Sequence, residues 1–295
     1  MKKAFLITAF FLVFNFAANA ETVGILGSVL WDSGRMNAAV SLDLASAGLR
    51  LPAGRTQGET LLAQGFQKLI MPGFLDLQVD SSSTISDLIE KGEISLFEAE
   101  TIVSGAASAA PSLSPDMRNI TSSYSISLAN ISSALLKHSR PSPVIRTLNP
   151  VSSAQYTGII IIAVDPLPVY NMRRFDMAVP CLFPKIWDSE MNLVYERSML
   201  DPSFSNNKMV KYSSAENIFR ENPSGLSPEL QNITGERPLR IFARGVFGVK
   251  PTDLIIDRLD ALLIISTEEN RRLLSQGKVV FILNESVLRY EFSGN

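Results

Sequence analysis

The chain has 295 residues, enough for one large or two ordinary domains, and a formal net charge of −2. That mildly acidic balance argues against a nucleic-acid partner, which needs a concentrated basic face. With a single cysteine, Cys181, and a single histidine, His138, neither an intramolecular disulfide nor a His/Cys zinc site is available without help from carboxylates.

The first elements follow from charge and periodicity. Lys2-Lys3, the apolar run Ala4 to Phe16 and the small-x-small triplet Ala18-Asn19-Ala20 predict a signal peptide over 1–20, with the mature chain starting at Glu21. Its apolar run is shorter than the roughly 20 residues a spanning helix needs. No later run is longer, so no transmembrane segment is expected after cleavage, and no cysteine stands at the cut site to carry a lipid. An N-terminal α+β domain is expected over 21–139. Alternating Val29 and Trp31, then Met36 to Leu44, predict two strands around Asp32-Ser33-Gly34. Thr56 with Glu59 three residues on predicts a capped helix ending near Pro72-Gly73. Val79 to Ser83 is a polar break. Short helices follow over 85–89 and from Ser95, again with an acid, Glu98, three residues on. Ile120 to Leu128 alternate as a strand, and Ile131 to Leu136 suggest a helix ending near His138, which reads as a surface cap.

Pro141, Pro143 and Pro150, with no periodicity between them, mark 140–153 as a linker. The C-terminal α/β domain is expected over 154–295. It opens on Gly158 to Val164, an unbroken apolar run that suits a strand buried on both faces. Val179 to Trp187, the turn Asp188-Ser189-Glu190 and Leu193 to Tyr195 predict a hairpin beside it. Met209 to Tyr212 and Leu239 to Val249 read as strands, the latter with Gly245 and Gly248 inside. Asp257 and Ser266 or Thr267 can cap two helices, Gly277 stops the second, and Lys278 to Leu283 is the last buried strand. The fold class expected is α+β: two α/β-type sandwich domains, mixed sheets with helices packed on them.

The chemistry is read largely by exclusion. The sequence lacks GxGxxG, P-loop and GxSxG signatures. Ser205-Asn206-Asn207-Lys208 fits SxxK without its usual partner motifs, and Cys181 lies in apolar company as a small buried hydrophobe. No catalytic residue, metal ligand or cofactor is therefore expected, and the chain reads as no enzyme. The candidate site is a binding loop: Asp165, ending the buried strand before Pro166, with Arg173 and Arg174 between aromatics. Asn119, Asn130, Asn232 and Asn284 open N-x-S/T sequons that read as chance matches.

Tyr156 to Ile162, then Pro184, Ile186, Asp188 and Tyr195, follow a pattern of a YTGLIIDA-like strand, P-x-I-x-D and a Tyr hairpin. In this the C-terminal half resembles secreted bacterial proteins related to FlgP/FlgT-type flagellar-assembly and outer-membrane-associated lipoproteins. The match runs from Tyr156 to Leu283. The lipid-anchor cysteine of that group is absent, and its acidic strand ending is replaced by Ala163-Val164-Asp165-Pro166. The resemblance implies a small α/β domain that assembles in the periplasm or at the outer membrane, with envelope or flagellar-assembly proteins as partners. The expected function is an exported, non-catalytic structural or assembly protein. A periplasmic or surface ligand-binding module and a carboxylate-based hydrolase stay open beside it, as does a homo-oligomer.

Overall fold

The computed structural model describes residues 23–204, 208–218 and 225–294. The signal peptide expected over 1–20 and most of the SxxK stretch, Ser205 to Asn207, lie outside them.

The first half is an antiparallel sheet covered by one long helix. β1 (Val23–Leu30) and β2 (Arg35–Asp43) form the expected hairpin, and α1 (Gly54–Leu75) crosses their inner face. Next come α2 (Ile85–Glu90), α3 (Leu96–Ser104), and the two-residue strands β3 (Ala107–Ser108) and β4 (Ser112–Leu113). β5 (Asn119–Ser127) and α4 (Leu128–Leu135) complete the half. Alternation decides which face is wet: Met36, Ala38, Val40 and Leu42 are buried toward α1, while Leu26, Arg35, Ser41 and Ser123 point outward and are exposed or partly so. Leu62, Phe66, Ile70 and Phe74, four residues apart, form the stripe α1 presents to the sheet, and Phe66 stacks on Tyr124 with ring centroids 3.8 Å apart.

α1 departs from expectation at both ends. Its N-cap is Ala53 with no side-chain cap bond, and Glu59 pairs with Arg55 at 3.0 Å instead of closing a box with Thr56. At the other end the helix runs through Pro72. A proline in the last turn removes one hydrogen bond, and burial of Gly73 and Phe74 against the sheet holds the turn. The box at Ser95 and Glu98 forms as the spacing predicts, and Thr84 with Asp87 makes a second.

The second half is built on β6 (Ile159–Ala163), which is buried at every residue. The hairpin β7 (Leu167–Pro168) and β8 (Phe175–Asp176) follows, then β9 (Ile186–Asp188), β10 (Leu193–Tyr195) and β11 (Lys211–Ser213). α5 (Pro228–Thr234), β12 (Leu239–Phe242), β13 (Gly245–Phe247), β14 (Asp253–Ile256), α6 (Arg258–Ile265), α7 (Glu268–Ser275) and β15 (Val279–Leu283) complete it. A parallel sheet runs β11-β15-β6-β12, and a mixed sheet runs β10-β9-β14-β13. The parallel sheet has two dry faces, as its apolar run requires: Ile159 and Ile161 join the main core, whereas Ile160 and Ile162 pack with Ile218, Leu226 and Leu230 on the other side. The whole is an α+β protein. The stretch 239–249, expected as one strand, is two strands in different sheets. The chain crosses between them at Ala243-Arg244, and Gly245 allows the backbone to pass close to Pro168.

β16 (Arg289–Gly294) closes the edge of the first sheet. It leaves the second half after β15 and pairs antiparallel with β1, so residues 289–294 belong to the sheet of the first half. Phe292 lies across Gly27 of β1 and Gly73 of α1. A Cβ at Gly73 would stand 2.6 Å from the ring, and one at Gly27 would overlap it, so a side chain at either position would have to displace Phe292.

The two halves share a core. Trp31 meets Tyr212 edge-on at 5.7 Å, and the supposed polar break 79–83 is a docking strap, with Phe183 N donating to Val79 O at 2.8 Å and Lys250 N to Ser81 O at 3.0 Å. The proline segment 140–153 has no helix or strand but is tied down: Ser142 N donates to Ser198 O at 2.7 Å and Val151 N to Ser266 Oγ at 3.0 Å. His138 is not a cap of α4; it lies three residues past that helix, and its Nε2 meets the Leu200 carbonyl at 2.8 Å.

Candidate functional site

The loop singled out from sequence is a hairpin on the surface. Asp165 is exposed at the end of β6, and among the described residues it makes no ion pair. Arg173 and Arg174 sit at the β7–β8 turn, which Asn171 closes with φ 57°. Arg174 reaches Asp176 at 3.6 Å, both side chains exposed, which makes it a solvated pair of small energetic weight. The hairpin is anchored by Tyr170 N donating to Val246 O at 2.8 Å and by the edge contact of Tyr170 with Phe247 at 5.9 Å. Its outward side is apolar: Tyr170, Met172 and Phe175 are exposed, Phe175 at 72%. The structure therefore brings the arginines together with exposed aromatics and a methionine, and places Asp165 at the hairpin's entry without joining it to them.

Buried acids are committed elsewhere. Asp188 is wholly buried at the β9–β10 turn. Its carboxylate accepts from Glu190 N at 2.9 Å, Asn192 N at 2.8 Å and Asn192 Nδ2 at 3.0 Å, and it pairs with Arg258 at the start of α6. Burial alone would raise its pKa; the donors from Asn192, Arg258 and Glu190 outweigh that and hold it below the usual carboxylate range. Asp253 accepts from Lys185 N and from Thr252 Oγ1 at 3.1 Å and from Trp187 Nε1 at 3.2 Å, yet burial keeps its pKa raised. Cys181 lies near it, and burial and then the Asp253 charge push the thiol well up, away from the reactive thiolate. The Tyr212 hydroxyl is bound between the Cys181 carbonyl at 2.8 Å and the Cys181 amide at 3.1 Å. The cavity touching Cys181 measures about 30 Å³, room for water and little else. Among the described residues no three His, Cys, Asp or Glu side chains converge to hold a metal, and no helix is long and apolar enough to cross a membrane.

Two larger concavities were not legible in the sequence. A groove of about 530 Å³ runs along the junction of the halves, walled by Trp31, Val179, Pro180 and Tyr290, with Asp76 and Lys250 on its rim. A trough of about 540 Å³ lies on the outer face of the first sheet, floored by small residues such as Ser28, Ala39, Ser123 and Ser125. Each is assembled from segments far apart in the chain, so no local motif announces it. The junction groove has the size of a small-ligand site, with apolar walls and a few polar groups, and the Thr84 hydroxyl on its wall is spent on the Asp87 carboxylate of the α2 capping box at 3.0 Å.

No curated protein matches the chain. Residues 158–285 match the family model described as Treponema pallidum Tp0624, second domain, and residues 23–134 match the model described as Treponema pallidum Tp0624, N-terminal domain. Neither match names a FlgP/FlgT-type protein. The stretch between them contains the proline segment, and the second match ends before β16 begins. Half by half and in the same order, the chain is similar to the N-terminal and second domains of Tp0624.

Proposed function

We propose that this chain is an exported, non-catalytic envelope protein that works by assembling with other proteins in the periplasm or at the outer membrane, in a flagellar or more general envelope setting. The observation that carries the reading is the β7–β8 hairpin. Tyr, Met, Phe and Arg are the residue types enriched where proteins dock, and here Tyr170, Met172, Arg173, Arg174 and Phe175 stand together on a rigidly anchored turn. The buried acids Asp188 and Asp253 support it from the other side, because each is spent on holding turns. A carboxylate-based hydrolase, which needs two acids facing one cleft, gains no support from them. The test is affinity capture from envelope extracts with the native chain and with Met172→Ser/Phe175→Ser. Envelope proteins retained by the native chain and lost by the variant support assembly. Identical captures from both would remove the hairpin from the account.

The junction groove favours a second reading, a periplasmic or surface ligand-binding module. Thermal-shift screening against sugars, peptides and peptidoglycan fragments tests it. Melting temperatures that stay flat across the panel would retire it.

A further inference from the structure

We propose that β16 is a docking edge for a second copy of this chain, joined by antiparallel strand pairing about Tyr290. β16 is the terminal strand of its sheet. β1 occupies one side, and among the described residues no strand pairs on the other. A row of free backbone N–H and C=O groups on such an edge is a template for a further strand. The edge is held stiffly, because β16 keeps an unbroken register with β1 from Leu30↔Arg289 to Ile25↔Gly294, and Phe292 is seated over Gly27 and Gly73. Little ordering is then required when a partner strand arrives.

The side chains of this strand complement themselves. In a twofold antiparallel pairing centred on Tyr290, Arg289 of each copy faces Glu291 of the other, and the two Tyr290 rings face each other. At present Arg289 and Glu291 pair within the strand at 2.7 Å, both well exposed, so exchanging partners leaves neither charge stranded. Tyr290 is 49% exposed beside Phe292, with ring centroids 6.4 Å apart, and offers an aromatic cross-strand pair on the opposite face of the strand. The next register of the same parity, centred on Glu291, would set the two glutamates opposite each other, which is unfavourable. Charge therefore favours the register centred on Tyr290 over those centred on Arg289 or Glu291, where like charges would face each other, and an isologous contact of this kind closes at two copies. That self-complementarity names a second copy of this chain, rather than a strand of another protein, as the occupant.

The proposal does not rest on the assembly reading, and the purified full chain is sufficient to test it. Sedimentation across a concentration series is expected to show a reversible monomer–dimer equilibrium. Arg289→Glu alone and Glu291→Arg alone should each weaken it at least tenfold, because every cross pair becomes like-charged. Mixing the two variants should restore a heterodimer, since Glu at 289 then meets Arg at 291 and Glu291 meets Arg289. A misfolded variant could not produce that recovery. A chain that stays monomeric throughout, single variants that associate like the native chain, or a mixture that fails to associate would each overturn the proposal.

Discussion

Asp188 has no accessible surface, yet it keeps its charge because every direction around it is occupied by a donor. Removing it would leave Arg258 without its buried partner and Asn192 without its acceptor. Breaking a buried pair from one side costs roughly 3–5 kcal/mol in well-studied proteins, and since Arg258 is partly exposed the low end applies. Asp188→Ala should therefore lose about 3 kcal/mol at pH 7, read from urea midpoints. The pH dependence has a definite sign. Its folded pKa is below the ordinary value of 3.8, so its contribution is complete above 3.8 and fades as pH falls through the folded value. Asp188→Asn should show a flatter stability profile than the native chain over that acid window; an unchanged profile would remove Asp188 as its source. Asp253 has the opposite sign: burial raises its pKa, so ionising it costs stability as pH climbs from 3.8 through its folded value. From sequence, Asp188 was visible as a turn residue and in the P-x-I-x-D pattern, and Asp253 not at all; the Arg258 that pairs with the first and the Lys185 amide that binds the second lie some 70 residues away in each case.

At the scale of elements, what could be read locally was read well. The β1–β2 hairpin, the buried β6 and β15, the box at Ser95 and the caps at Asp257 and Thr267 all depend on neighbours within a few positions, and they form where the spacing puts them. One departure is local, the Thr56–Glu59 box, which is lost to the Arg55–Glu59 pair; the others are tertiary. Pro72 stays inside α1 because the core holds its last turn, and 239–249 splits because two sheets compete for it. The proline segment is the clearest case, since its composition says linker and its attachment depends on Asn270 of α7. That side chain is buried, donates to Ala154 O at 2.9 Å, Leu263 O at 3.0 Å and Ser153 Oγ at 3.1 Å, and accepts from Tyr156 N at 3.1 Å. Asn270→Ala would strand these groups, so a loss of about 2 kcal/mol is expected. Limited proteolysis should then cut within 140–153 faster than in the native chain. Equal cutting rates would mean that the segment is held by its other bonds alone.

The molecule as a whole is organised by its return to the start. The chain enters through β1, builds the first half, passes along the proline segment into the second, and sends β16 back to pair with β1. Because only residues 284–288 separate β15 from β16, the edge strand of the first sheet is tied directly to the parallel sheet. Trp31 N bonding Leu288 O at 3.0 Å, and the Trp31–Tyr212 contact, lie where these paths cross. The two halves should consequently unfold as one unit rather than as two independent domains. The chain has two tryptophans, Trp31 at the junction and Trp187 in the second half, and single-tryptophan variants would report each region separately. Both are expected to share one midpoint with the far-ultraviolet circular dichroism signal. Gly27→Ala offers the sharper test, since its methyl would displace the Phe292 ring that fixes β16; overpacking of this kind costs about 2 kcal/mol. If the halves are coupled through β16, the substitution in the first half lowers the Trp187 midpoint as much as the Trp31 midpoint. If only Trp31 responds, the two halves unfold separately and β16 is an attachment rather than the closing strand of a shared core.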